Sequence, residues 1–358
     1  MKIYKVIGLM SGTSLDALDL CYCHIWKNLT RWEFEIKTTR SIAYDKKRYE
    51  KLKSAISLPA DQLFQLHNDY GTWLGEQSRL FKDEEGLEVD FISSHGHTVH
   101  HQPEKGLTFQ IGSGQHLANA SGIRTICDFR TNDVALGGQG APLVPVGDHF
   151  LFASYDFCLN LGGISNISFH SNGKRIAYDI GVANMLLNHI TAKEDIPYDK
   201  GGQLARKGKL NPSLLKALDG LEYYKKPYPK STGYEWFISE VAPLIDAEKA
   251  SMESLLHTAV HHICGQIGRE VRKLSSKDSK TLLVTGGGAF NTYLTEVLQQ
   301  KTVEHIILEI PSRELIEFKE ALVFAFMGVL RIEQEINVLS SVTGAKRDSS
   351  SGVVFLPS

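Results

Sequence analysis

Two similarly built α/β units, each a parallel or mixed sheet with helices on its faces, are what this sequence predicts. Three observations carry that reading. The chain has 358 residues, beyond the size at which a single hydrophobic core keeps growing. Strand-like runs alternate with amphipathic helical stripes, the pattern of helices packed on a sheet. One order of elements also occurs twice: strand, small-residue turn, two strands, helix, strand, glycine loop. No residue-level repeat accompanies it.

In the first half the spacing predicts strands at 5–10, 18–26 and 32–44, with a Gly/Ser turn after the first and Lys27-Asn28 after the second. Leu63, Leu66, Tyr70, Trp73, Leu74, Leu80 and Phe81 then fall on one helical stripe. A strand at 89–93 runs into a loop rich in Gly and His. The second half begins with a strand at 157–161, the turn Gly162-Gly163, a strand at 166–170, the hairpin signal Asn172-Gly173 and a strand at 175–180. A long helix at 252–274 carries Leu255, Leu256, Ile263, Ile267 and Val271 on one face, and His261-His262 reads as surface or core edge. A buried strand at 281–284 stops at Gly286-Gly287-Gly288. The segment 221–235, with Pro227 and Pro229, reads as a mobile or partner-facing loop. Two such units facing one another make a cleft, with the hairpin tips directed into it.

Composition excludes several functions. A net charge of −2 from 39 basic and 41 acidic residues, with no like-charge block, lacks the basic stripe that holds nucleic acid. No apolar run reaches the roughly 18 residues that read as a membrane span. The opening run breaks into Gly and Ser without a cleavage pattern, so it reads as a strand and not a signal peptide. Five cysteines, an odd number without framework spacing, point to free thiols packed in the core of a cytoplasmic protein.

Three loops offer chemistry. In Met10-Ser11-Gly12-Thr13-Ser14-Leu15-Asp16 the small residues let successive backbone N–H groups converge on an anion. Thr13 and Ser14 add hydroxyls, and Asp16 could hold a hydrated Mg²⁺. The turn 161–166, with Gly162 and Gly163, has the same build. The third loop, Gly286-Gly287-Gly288-Ala289-Phe290-Asn291, ends a buried strand, where open α/β sheets place ligands. Each of the three also reads as a plain tight turn when taken alone. Asp179, at a strand end beside glycine, suits a general base or, equally, the N-cap of a helix at 183–190. The run Ser94-His95-Gly96-His97-Thr98-Val99-His100-His101 suggests zinc, but no further ligands stand at motif spacing.

Taken together, these motifs resemble the anhydro-N-acetylmuramic acid kinases. The resemblance rests on Gly8 to Asp16, Ser94-His95-Gly96 with Thr98-Val99, Gln110-Ile111-Gly112, Asp128-Phe129-Arg130 through Asp133 to Gly137-Gly138-Gln139-Gly140-Ala141-Pro142, and Asn160 to Gly163. It continues through Tyr198 to Gly202, Thr285 to Asn291, Glu320-Ala321 and Ser341 to Ala345, in order along almost the whole chain. The resemblance implies two actin-like (ribonuclease H-like) domains around a central cleft, 1–128 with 340–358 and 129–339. It implies an ATP- and Mg²⁺-dependent enzyme that opens an anhydro amino sugar and phosphorylates it, as a homodimer. Asp179 would be the base. Gly12, Thr13, Ser14, Leu15, Asp16, Ala17, Leu18 and Asp19 would cover the phosphates, assisted by Gly162 and Gly163. Gly286, Gly287, Gly288 and Asn291 would back the adenosine. Asp16 and Glu320 would hold Mg²⁺ through water, and His95, Asp128 and Arg130 would touch the sugar.

This chain departs from the family pattern at Ala17, where Gly is usual, and at Val182 and Ala183, where Pro-Gly is usual. Asn188 stands for Asp, Tyr234 for Arg and His97 for Gln. A kinase for another anhydro sugar or a hexose shares the same ATP loops. A non-catalytic ATP-binding module would have no need of Asp179.

Overall fold

The computed structural model describes residues 1–12, 15–275 and 279–358. Thr13 and Ser14, expected at the phosphates, lie outside the described residues. The chain divides into two compact units, Met1–Ala153 with Phe318–Ser358, and Ser154–Glu317.

The first unit opens with β1 (Ile3–Ser11), β2 (Ala17–Asn28) and β3 (Arg31–Ala43), paired antiparallel in that order. The helix Ala60–Glu84 follows, then β4 (Phe91–Ser94), which runs parallel to β1. Next come β5 (His97–Gln102) and β6 (Leu107–Ile111), then β7 (Thr125–Cys127) and, at the chain's end, β13 (Val353–Phe355). The sheet order is β13-β7-β4-β1-β2-β3, while β5 and β6 form a separate hairpin. The His-rich segment expected as a loop is therefore mostly strand. His97 pairs with Ile111 and His101 with Thr108, and the backbone pairing sets its geometry whatever its side chains.

Ile7, Leu9, Leu18, Leu20 and Ile92 form a core with Leu66, Tyr70, Leu74 and Phe81 of the helix. The helix Arg313–Ile332 packs on the same sheet. There a Cβ on Gly8 would lie 2.0 Å from the Ala321 carbonyl oxygen, so strand and helix meet at a distance only glycine allows. The Ser93 hydroxyl donates to the Phe324 carbonyl at 2.5 Å.

The second unit contains β8 (Phe157–Leu161), β9 (Ile164–Ser171), β10 (Lys174–Val182), β11 (Lys280–Thr285) and β12 (Ile306–Glu309), in the order β10-β9-β8-β11-β12. The first three strands are antiparallel and the last two parallel to β8. This is the order of β3-β2-β1-β4-β7 in the first unit. The actin-like, ribonuclease H-like topology is thus present twice. The helix Met252–Leu274 coincides with the expected span. Ser251 caps it by accepting from the Ser254 amide, Glu253 lies in its first turn, and Arg272 and Lys273 in its last. Its stripe of Leu256, Ala259, Ile263, Ile267 and Val271 packs on Leu159, Leu161, Ile167, Leu282 and Val284.

The observed division falls at 153/154 and 317/318, not at the expected 128/129 and 339/340. Contacts distant in sequence decide this. Arg130 bonds to His95, the Gln139 amide donates to the Thr343 carbonyl, and residues from Phe318 onward pack against β1 and β4. All five cysteines are free and buried. Among the described residues no helix is long and apolar enough to cross a membrane.

Candidate active site

In the second unit Asp179 sits on β10 at an irregularity. Asp179 pairs with Asn166 and Gly181 with Ser165, leaving Ile180 as an extra residue. Such a bulge bends the strand and re-aims its side chains. The helix after it begins at Asn184, and Ala183 is its N-cap residue. Asp179 is therefore not a capping residue. Its carboxylate Oδ2 accepts instead from the Ser231 hydroxyl at 3.0 Å and the Thr232 amide at 3.1 Å. Its backbone is tied to the same segment, N–H to the Lys230 carbonyl at 3.1 Å, while its carbonyl accepts from the Tyr223 hydroxyl at 2.8 Å. Partial burial pushes the Asp179 pKa up, and the Thr232 and Ser231 donors offset only part of that. The 221–235 segment is thus not a loose loop, although Lys225 to Pro229 are exposed. It grips Asp179.

Gly181 is required by a close approach, since a Cβ there would lie 2.4 Å from the Tyr224 ring. The Tyr224 hydroxyl is 3.0 Å from His262 Nε2, and His262 Nδ1 is 2.6 Å from Asp219 Oδ1. His262, expected at the surface or core edge, is fully buried. A neighbouring carboxylate and phenol satisfy both its ring nitrogens, so burial leaves nothing unpaired.

The glycine turns converge on this strand end. The amides of Ala183 and Met185 donate to the Gly163 carbonyl, and that of Asn184 to the Gly162 carbonyl. Gly286 has φ +80°, and a Cβ on it would lie 2.8 Å from the Leu161 backbone. Gly288 meets the Leu161 side chain in the same way. Packing therefore demands glycine at 286 and 288. Gly162, Gly163 and Gly287 have no such crowding, with no protein atom nearer than 3.3 Å to an added Cβ. These three leave backbone open to a ligand. Asn291 caps the helix Thr292–Lys301 by accepting from the Leu294 amide at 3.0 Å.

In the first unit Leu15 adopts φ +58°, and its amide donates to the Gly12 carbonyl at 3.3 Å. Asp16 is exposed, Ala17 begins β2, and Leu18 points into the core. Ser11, just before the turn, is held from beneath. Its Oγ accepts from the Tyr44 hydroxyl at 2.8 Å and lies 3.0 Å from His97 Nδ1, and Tyr44 in turn meets the Tyr70 hydroxyl at 2.8 Å. Burial holds the His97 pKa down, to about 4, so the ring is neutral at physiological pH. None of Tyr44, Tyr70 or His97 was legible as a support, because they come from three separate elements.

His95 and Arg130 are brought together. Arg130 donates Nε and Nη2 to His95 Nε2 at 3.2 and 2.9 Å, and Nη1 to the Gly140 carbonyl at 2.6 Å. Guanidinium only donates, so His95 is neutral with its proton on Nδ1. Burial lowers the His95 pKa further below its usual value, and brings that of Arg130 down to about 10. Asp128 adopts φ +62° and accepts from the Thr131 amide at 3.3 Å. Asp133, fully buried, accepts from the Gly140 amide and the Thr343 hydroxyl, each at 2.7 Å. The glycine-rich 137–140 turn is therefore built around a carboxylate.

Glu320 has its pKa pushed up by the protein crowded round its carboxyl and by the Asp19 carboxylate, against the pull of Arg130 and Lys319. Among the described residues no group of three His, Cys, Asp or Glu is arranged to hold a metal ion. The histidine run has other partners, His95 with Arg130, His97 with Ser11 and His101 with Thr108. Hydrated Mg²⁺ asks less of the protein, one or two carboxylates beside phosphate oxygens. The exposed Asp16, and the mutually repelling Asp19 and Glu320, fit that demand.

Residues 4–357 match the family model described as anhydro-N-acetylmuramic acid kinase. The chain belongs to the anhydro-N-acetylmuramic acid kinase family. A relative of that name from Actinobacillus pleuropneumoniae serotype 7 is 35% identical over 370 residues, covering 98% of each chain. One from Vibrio cholerae is 34% identical over 370 residues with the same coverage, and one from Aliivibrio fischeri 37% identical over 277 residues, covering 75% of this chain and 76% of its own. Among solved structures, an activator of 2-hydroxyisocaproyl-CoA dehydratase from Clostridium difficile, with bound ADPNP, aligns at TM-score 0.44 and 12% identity over 92% of this chain and 97% of its own. As a member of the anhydro-N-acetylmuramic acid kinase family the chain is a phosphotransferase with an alcohol acceptor.

Proposed function

We propose that this chain hydrolytically opens 1,6-anhydro-N-acetylmuramic acid and transfers the γ-phosphoryl group of ATP to its 6-oxygen. The products are N-acetylmuramic acid 6-phosphate and ADP. The observation that carries the reading is Asp179, a carboxylate that caps no helix, accepts from Ser231 and Thr232 of the 221–235 segment, and has a pKa raised by burial. Family membership supplies the substrate.

In this mechanism Asp179 takes a proton from water, whose oxygen bonds to the anomeric carbon as the bridging C–O bond breaks. The departing 6-oxygen bonds to the γ-phosphorus as the bond from that phosphorus to the β,γ-bridging oxygen breaks and ADP leaves, and the proton on Asp179 is later released to solvent. An inverting glycosidase uses a second carboxylic acid to protonate its leaving oxygen. Here the phosphoryl group takes that place, so one carboxylate suffices. The family resemblance assigns the nucleotide's phosphates to the segment from Gly12 to Asp19 of the first unit, and in the second unit the open backbone at Gly162, Gly163 and Gly287 supports the same assignment. Asp16 and Glu320 are the residues that would hold Mg²⁺. When bound, the ion would neutralise charge on the phosphoryl oxygens. The family resemblance assigns His95, Asp128 and Arg130 to the sugar, and Arg130 fixes the His95 ring. Assembly as a homodimer and a cytoplasmic location belong to the same reading and rest on the family resemblance.

The test is turnover in ¹⁸O-labelled water with mass spectrometry of the product. The expected result is one ¹⁸O at the anomeric position and none in the phosphate ester bridge. Label in the bridge would overturn the coupled mechanism. No label anywhere, with a reducing sugar as preferred substrate, would make the chain an ordinary hexose kinase.

A further inference from the structure

β10 alternates its side chains, and the alternation separates two environments. Asp179 is held by Ser231 and Thr232. Tyr178 points to the helix side, where its hydroxyl donates to Glu270 of the helix Met252–Leu274 at 2.9 Å. The segment 226–232 crosses between them. Tyr228 stacks on the Tyr178 ring, centroids 5.2 Å apart at 10°, and meets Phe169 edge-on at 5.9 Å. Two residues later the Lys230 side chain turns inward. Its ammonium lies 5.1 Å from the Tyr223 ring centroid and 5.9 Å from that of Tyr178. Lysine is seldom buried, yet Lys230 is only 9% exposed.

We propose that Lys230 is a positioning residue for Asp179, its ammonium packed over the Tyr178 and Tyr223 rings so as to pin the segment that holds the carboxylate. An ammonium over two ring faces is attracted by both, more strongly when desolvated. The neighbouring atoms of the same residue and the next two make the grip: the Lys230 carbonyl on the Asp179 amide, the Ser231 hydroxyl and Thr232 amide on Oδ2. Tyr223 serves both sides, its ring under the ammonium and its hydroxyl on the Asp179 carbonyl. The groups facing the carboxylate are thus the Ser231 hydroxyl and Thr232 amide. The charges of Lys230, Glu270 and Lys273 belong to the Tyr178 side. Burial lowers the Lys230 pKa, with Glu270 acting against that shift and Lys273 adding to it.

This inference rests on the reading of Asp179 as the base, so its test has an arm independent of activity. Lys230→Ala, Lys230→Met and Lys230→Arg are compared with the unaltered full chain by sugar-dependent ADP release across pH. In parallel, the titration of Asp179 is followed by carboxyl ¹³C NMR. With Ala or Met, kcat is expected to fall roughly ten- to a hundredfold, the scale of a misplaced reacting group. Asp179 is expected to titrate at higher pH, because two donors to its charged form are loosened. Met keeps the apolar stem of lysine without its charge, so it separates the cation from packing, and Arg should recover most of the rate. An unmoved Asp179 titration in folded Ala and Met variants would overturn the proposal, whatever the rate does. Full activity of Asp179→Asn would instead sink the base assignment, while the NMR arm would still decide whether Lys230 positions Asp179.

Discussion

Asp179→Asn is expected to lose about two to four decades of sugar-dependent ADP release, the usual contribution of a general base, while nucleotide binding persists. Asn keeps an acceptor for the Ser231 hydroxyl and Thr232 amide, so the segment stays in place and the loss reports on chemistry. Near-normal turnover would remove Asp179 from the mechanism. A pH profile of the unaltered enzyme checks the same residue. The base works deprotonated, and burial raises its pKa, so the acid limb of the activity profile should lie at higher pH than an unperturbed aspartate would give. Stability runs in the opposite sense. Because the folded pKa lies above the unfolded one, the fold favours the protonated form, and that contribution is lost as pH rises through the folded value. The Asn variant, which cannot ionise, should therefore melt no lower than the unaltered chain at neutral pH.

Asp133→Ala is expected to have the largest effect on stability. The carboxylate is fully buried and accepts from the Gly140 amide and the Thr343 hydroxyl. Its removal leaves the Gly140 amide buried without an acceptor and the Thr343 hydroxyl with only the Leu339 carbonyl at 3.4 Å, at a cost of about 3 kcal/mol. For a unit of this size that corresponds to a fall in melting temperature of roughly 6–12 °C. A Cβ at Gly138 would lie 2.2 Å from Asp133 Oδ2, so the turn cannot close over the gap without moving. Asp133→Asn, which keeps one acceptor oxygen, should lose clearly less. Equal melting of the Ala variant and the unaltered chain, followed by calorimetry, would show that the carboxylate is not what holds the 137–140 turn.

Much of the frame was legible because it depends on local periodicity. The strands near 5–10, 18–26 and 157–161 and the helix at 252–274 were all visible as apolar patterns. So was the repeated order of elements, which appears as two sheets of like topology. The hairpin β5–β6 was not, since three histidines dominate its first strand and its pairing with β6 comes from the backbone. His262 was misjudged because its partners, Asp219 and Tyr224, are 43 and 38 residues away. The run Lys230-Ser231-Thr232-Gly233 offered a signal in its small hydroxyl residues, like those of the phosphate turn. Pro227 and Pro229 just before it suggested a loose loop instead.

Sequence alone determined the class of each unit, the family, the glycine turns and Asp179, because spacing, residue size and short motifs are properties of neighbours along the chain. Which role each of those residues takes was decided only by the tertiary structure. It showed that Asp179 caps no helix, that Asp133 carries a turn, and that Gly286 and Gly288 answer to packing on Leu161. It also showed that Arg130 orients His95 and that Lys230 lies over two tyrosine rings. The physical reason is the same in each case. A buried polar group must find its partner wherever the fold brings one, and those partners stand from 7 to 210 residues away.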